Sequence, residues 1–409
     1  MGVDSSGAVA PPQPRSRRTA SPNRDALLAA ARDRFAATGP GGVSIRSVAE
    51  AAGCSHTLVG RHFGSKEGLE QAVVEWLADR MATHRERLTT GSDVVPVVTE
   101  ALGDDPTVTR LLVRSALGEL DPTPLVRAPN LATALAGAVE RRRGGAPDQA
   151  SASARVTAYL VLSTVLGHLT FAPFLRTGCR LRAVPAGVRA AAVTGAAEDL
   201  VALGADPATD LGWGPQPRPR ALRPGGPGAS APADERLLAA AVRLYAERGP
   251  ASVSTRDIAA AAGVHQGLIY HYFGSREDLM GRALERANRS VVEAAVGAGR
   301  FDRRGLIFAQ PDLGSMVIVA RHLVDGGDLT GLWTRYPVLD ALLRRYPEVP
   351  TGPGPGTRSD PRLAVMTASG CFLATAVWDR FLRRALGIPA SADLRPALYT
   401  ATDRLLTPA

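Results

Sequence analysis

Two stretches of this 409-residue chain are near-copies of each other. Leu27–Leu69 reads LLAAARDRFAATGPGGVSIRSVAEAAGCSHTLVGRHFGSKEGL, and Leu237–Leu279 reads LLAAAVRLYAERGPASVSTRDIAAAAGVHQGLIYHYFGSREDL. They align without a gap at a constant shift of 210 residues, and roughly half of the positions are identical. A fainter echo follows each block: Arg155, Phe174 and Leu175 match Arg362, Phe381 and Leu382 at a shift of 207. The chain therefore reads as a duplicated two-domain unit, and any fold proposed for one half must serve the other.

Each block parses into three helices. Leu27, Leu28, Ala31 and Phe35 share one face at helical spacing, as do Leu237, Leu238, Ala241 and Tyr245. Gly39-Pro40 and Gly249-Pro250 end that helix. Ser44 and Ser254 are placed to cap a second helix running to Ala52 or Ala262. Gly53 or Gly263 then supplies the positive φ that a tight turn between steeply crossed helices demands. A third helix follows, Ser55–Phe63 or His265–Phe273, apolar on one side through Leu58 and Val59 or Leu268 and Ile269. The pattern is helix-turn-helix, in which a short helix is offered to the major groove of DNA.

Elsewhere the chain is rich in Ala and poor in aromatics (5 %), which favours an all-α protein. A formal charge of +9 fits a polyanionic partner. Cys54, Cys179 and Cys371 are few and far apart, with no CxxC pair, so neither a metal site nor a disulfide framework is expected. No nucleophile motif, phosphate-binding loop or dinucleotide fingerprint occurs, so no enzyme activity and no cofactor are expected. Val156–Leu175 is apolar but contains His168 and Pro173 and reads as a buried helix. With a polar start to the chain and no membrane segment expected, a soluble, cytoplasmic protein is anticipated.

The two blocks resemble the DNA-binding region of the TetR family of bacterial regulators. The resemblance rests on AAGCSHTLVGRHFGSKEGL (51–69) and AAGVHQGLIYHYFGSREDL (261–279). It implies an all-α fold of two tandem units, each a three-helix head followed by a helical regulatory bundle. The expected divisions are a basic tail (1–22), a first head (23–70), a first bundle (71–208), a Pro/Gly-rich linker (209–233), a second head (234–280) and a second bundle (281–409). Arg15, Arg17, Arg18 and Arg24, before the first helix, read either as a minor-groove arm or as a solvated tail.

The resemblance also assigns DNA contacts. In the second head Tyr270, Tyr272 and Arg276 take phosphate-facing places, Ser254 and Thr255 open the second helix toward the backbone, and Gln266, Gly267 and His271 reach base edges. In the first head Ser44, His62 and Lys66 are the backbone contacts and His56, Thr57 and Arg61 the base readers, while Gly60 stands where the second copy has Tyr270. The implied ligand pockets would use His168, Phe171, His322, Trp333 and Trp378, with Asp325 and Asp379 as further polar candidates.

The expected partners are double-stranded DNA, a small-molecule effector, and either the other half of the same chain or a second copy. In the leading arrangement Ser153–Leu175 and Ala186–Leu203 pack on Asp360–Leu386 and Leu394–Leu406, making a single-chain pseudo-dimer that represses from an asymmetric operator. Alternatives are a bridging DNA protein without ligand sensing, and a regulator in which only the second head reads DNA.

Overall fold

A computed structural model describes residues 22–91, 93–202, 231–297, 314–329, 332, 336–345 and 360–406. Nearly all of the expected tail and of the linker, most of the Pro/Gly-rich stretch 347–361 and Trp333 lie outside the described residues. Those described form helices and turns, with no strand among them. The first head comprises α1 (Pro22–Thr38), α2 (Ile45–Ala51) and α3 (Thr57–Phe63). Its bundle comprises α4 (Lys66–Thr90), α5 (Val94–Gly103), α6 (Pro106–Ala116), α7 (Thr123–Val126), α8 (Leu131–Arg142), α9 (Ala152–Gly178) and α10 (Ala186–Ala202). The second head comprises α11 (Ala233–Arg248), α12 (Thr255–Ala262) and α13 (Gly267–Phe273). Its bundle comprises α14 (Arg276–Gly297), α15 (Gly314–Val324), α16 (Pro337–Arg345), α17 (Pro361–Leu386) and α18 (Arg395–Leu406).

The local rules explain the helix ends. Ser44 accepts a hydrogen bond from the Ser47 N–H (3.1 Å), and Ser254 forms a reciprocal capping box with Asp257. Gly53 (φ 62°) and Gly263 (φ 64°) turn the chain in the left-handed region. The third helices begin two residues later than the sequence pattern suggests, because His56 and Gln266 occupy the capping position just before them.

The longest helix of each half meets the other at the centre of the molecule. α9 packs along α17, with α10 and α18 alongside. At the crossing Gly167 and Gly370 bring the backbones together so closely that a Cβ on Gly167 would overlap the Gly370 carbonyl oxygen. Polar groups seal the seam. The Tyr159 hydroxyl donates to Asp379 (2.7 Å), the Trp378 indole N–H to Thr170 Oγ1 (3.0 Å), and the Asn130 amide to the Ala385 carbonyl (2.9 Å). Asp379, a candidate ligand-orienting group from sequence, thus spends its charge on Tyr159 and Arg383. By length and composition α9 would cross a bilayer, but 78 % of its apolar window is buried inside the protein.

A Gly167→Val variant should force α9 and α17 apart. The expected loss is at least about 2 kcal/mol of stability from overpacking, read as a lower midpoint in urea unfolding. An unchanged midpoint would show that the two helices do not meet at this point.

Candidate nucleic-acid interface

Each third helix buries one side and exposes the other. Val59 and Ile269 are fully buried, fixing the rotation of α3 and α13 against their heads. The opposite faces present His56, Thr57 and Arg61 in the first head, and Gly267, Tyr270, His271 and Tyr272 in the second, all exposed. Tyr270 and Tyr272 are 52 % and 41 % exposed, unusual for large aromatic side chains in a folded monomer. The rings of His271 and Tyr272 meet edge to face with centroids 5.0 Å apart.

Several expected contacts are already engaged. The Gln266 amide donates to Thr255 Oγ1 (2.8 Å), which pre-orients the side chain but takes one of its donors. The Ser254 hydroxyl donates to Asp257 (2.6 Å), so a phosphate would meet backbone N–H groups at α12 rather than that hydroxyl. Those bonds from Ser254 hold the Asp257 carboxyl below its ordinary range. The sharpest departure is Arg276. Its guanidinium donates through Nη2 to the Pro250 and Val253 carbonyls within the head, so that nitrogen is engaged before any phosphate arrives. Its counterpart Lys66 is partly exposed and loosely paired with Glu70 at 4.0 Å. His62 is half-buried, and Ser44 is exposed beside its cap bond. Arg24 is no free arm: it lies in α1 with its guanidinium 5.2 Å from the centroid of the Phe63 ring. Arg15, Arg17 and Arg18 lie outside the described residues.

The heads are anchored to the body by two arginines that sequence reading passed over. Arg114 on α6 is 1 % exposed and Arg321 on α15 is 8 % exposed. They are related by the same 207-residue shift as the late helices. Arg114 Nε donates to the Ala36 carbonyl at the end of α1 (3.2 Å), and Arg321 Nε to the Ala246 carbonyl at the end of α11 (3.1 Å). Each then reaches into the opposite half. Arg114 Nη2 pairs with Asp325 (2.8 Å), while Arg321 pairs with Glu119 (2.7 Å) and donates to the Leu117 carbonyl (3.0 Å). Glu119 also pairs with Arg114 (2.7 Å), so one carboxylate bridges both guanidiniums. Asp325, expected at a ligand, is therefore a structural counter-ion.

The expected pocket residues scatter. Phe171 is fully buried core. His168 sits beside the α9–α17 crossing, where burial, reinforced by the Arg189 charge, pushes its pKa down to about 4 and keeps it neutral. His322 Nε2 donates to the Asp328 carbonyl (3.0 Å), and the residue borders a polar cleft under the second head together with Arg276 and Asp325. Of these, Trp378 alone lines the partly open cavity of about 290 Å³ bordered by α4, α5, α6, α7, α8, α9 and α17. Leu112, Asn130, Leu166 and Phe381 line it as well. Among the described residues no group of acidic, His or Cys side chains is placed to hold a metal.

Two helix-turn-helix heads on one helical body define a transcription regulator that binds DNA. The shared pattern of the bacterial regulatory proteins, tetR family, matches residues 27–73 and again 237–283. The HTH-type transcriptional repressor Rv3405c of Mycobacterium tuberculosis (strain ATCC 25618 / H37Rv) is 32 % identical over 185 residues, 42 % of this chain and 88 % of that protein. The HTH-type transcriptional repressor KstR2 of Rhodococcus jostii (strain RHA1) is 46 % identical over 48 residues, 12 % of this chain and 24 % of that protein. The chain belongs to the TetR family, whose members are regulators and not enzymes. Nearly a whole relative fits within less than half of it, as the internal duplication requires.

Replacing Arg114 by Lys keeps the charge but not the fork of donors that serves five acceptors at once. Arg114→Lys should cost about 3 kcal/mol, the scale of a broken buried ion pair, in denaturant unfolding. Lysine restoring full stability would show that charge alone, without the directed bonds, holds the heads.

Proposed function

We propose that this chain is an effector-responsive repressor that works as a single-chain pseudo-dimer on an asymmetric operator. The observation that carries the reading is the pairing of α9 with α17 within one polypeptide, which joins two heads of unlike reading faces. In a TetR-type dimer formed from two copies, identical heads would read identical half-sites. Here His56, Thr57 and Arg61 would read one half-site, with Arg61 suited to guanine, and Gln266, Gly267 and His271 would read the other, with Gln266 suited to adenine. Ser44, His62 and Lys66, and Ser254, Thr255, Tyr270 and Tyr272, would hold the phosphate backbone. Arg276 would support the second head from behind instead of touching phosphate. Similarity to proteins named as transcriptional repressors supports occlusion of a promoter as the mode of action. Release would follow when an effector in the bundle favours a spacing of heads that no longer fits one face of DNA.

One further reading has its own observation. Gly60 stands at the place of the exposed Tyr270, so the first head lacks an aromatic backbone contact. On that reading only the second head reads sequence, and the first supplies charge through Lys66 and Arg61.

The divisions of the chain follow from the same proposal: heads at 23–70 and 234–280, bundles at 71–208 and 281–409, joined through 209–233.

Selection from random DNA should return two unlike half-sites, and the complex with one such site should contain one chain of 42.7 kDa. Two chains per operator, or a symmetric site, would overturn the pseudo-dimer. Arg61→Ala should cost about 1–3 kcal/mol of binding and relax preference at one half-site only. Loss of affinity without any change in preference would favour the reading in which the second head alone is specific. Tyr270→Ala should leave stability nearly unchanged, its ring being exposed, yet weaken binding to all sequences with the salt dependence kept, because a neutral phenol releases no counterion.

A further inference from the structure

We infer that the cavity of the first bundle binds an uncharged, apolar small molecule about the size of two fused rings, held between the two halves of the chain. This rests on the effector-responsive reading above and names the effector's chemistry. The size follows from the volume. An apolar cavity of about 150 Å³ admits benzene, and this one, at about 290 Å³, is nearly twice as large.

The chemistry follows from the wall. Leu112, Leu162, Leu166, Trp378 and Phe381 supply apolar surface. The polar hydrogens that border it are spent within the protein. The Trp378 N–H donates to Thr170, and the two Asn130 amide protons go to the Val126 and Ala385 carbonyls (3.0 and 2.9 Å). Two charged groups remain on α4. Arg85 is half-buried with its Nη1 on the Pro129 carbonyl (2.9 Å), and Asp79 is exposed. An anion would have to shed its water for a wall of mostly apolar side chains whose one cationic group, Arg85, already gives Nη1 to the Pro129 carbonyl and shares the lining with the Asp79 carboxylate, which is costly. A neutral ring system meets no such penalty, and a single hydroxyl can stay at the mouth.

The cavity also belongs to both halves. Trp378, Phe381, Leu382 and Ala385 come from α17 of the second half, whereas Leu112 comes from α6 of the first, two residues before Arg114. An occupant therefore presses on the helix whose arginine grips the end of α1 and the opposite half.

The full chain is titrated with 2-naphthol and with 2-naphthoate at neutral pH, following thermal stability and affinity for its selected operator. We expect 2-naphthol to raise Tm and to bind at least roughly tenfold more tightly than the charged analogue. It should also weaken operator binding. Ala132→Phe and Leu166→Trp, which fill the cavity, should abolish the Tm rise. Hydrogen exchange on the unaltered chain gives an independent map, and 2-naphthol should slow exchange in α4, α9 and α17. Binding of 2-naphthoate as tightly as 2-naphthol, binding of neither, or protection confined to other segments would overturn the inference. If 2-naphthol binds as expected and is lost on filling the cavity, yet operator affinity never changes, the cavity's chemistry stands and the effector-responsive reading falls.

Discussion

A guanidinium removed from water must find acceptors in every direction, and Arg114 finds them in three separate parts of the chain. It takes carbonyls of its own head, the carboxylate of Glu119 in its own bundle, and Asp325 in the other half. Arg321 repeats the gesture from the opposite side. The heads could in principle swing on the turns that join them to α4 and α14. With α1 and α11 each pinned at the carboxyl end, their separation becomes a property of the body. Breaking any one of these partners leaves a buried charge uncompensated, so the cluster tends to hold as a unit or open as a unit.

The α9–α17 seam supplies the second constraint. Small residues at the crossing let two long helices approach closely, the hydrogen bonds of Tyr159 and Trp378 fix their register, and Asn130 ties the start of α8 to the end of α17. Because the seam and the arginine cluster both span the halves, displacement of one helix at the cavity wall is shared by the whole body and not absorbed locally. The wall is dense and close to rigid, so a bound molecule is accommodated by shifting whole helices.

The heads were legible because everything that makes them is local. The capping serines, the left-handed Gly53 and Gly263 and the buried Val59 and Ile269 lie within a few residues of what they determine. The repeat likewise announced the two-unit plan and the late apolar helices. The body was illegible where its contacts join distant residues. Arg114 and Asp325 are 211 positions apart, and nothing in either neighbourhood marks them as partners. Polar groups in apolar helices, such as His168 and Asp379, were read as ligand contacts because a sequence does not show which face meets the other half. Arg276 illustrates a subtler point: its place in the motif suggested phosphate, but two carbonyls of its own head accept from its guanidinium, a contact that spacing does not reveal. Gly167 and Gly370 gave no signal at all, since a glycine used for close approach looks like any other.

Glu119 and Asp325 carry one more implication. At the 207-residue shift that superposes the two arginines, Glu119 falls on Gly326 and Asp325 falls on Gly118. Each half has kept its arginine and has placed its acid where the other half has glycine. The bridge between Arg114 and Arg321 is therefore made of unlike parts, and two copies of the second half would lack the carboxylate that joins the guanidiniums. A pair made of two second halves would have to gain a carboxylate at the place of Gly326 before it could rebuild this bridge, so the two copies have come to divide the work of the centre between them.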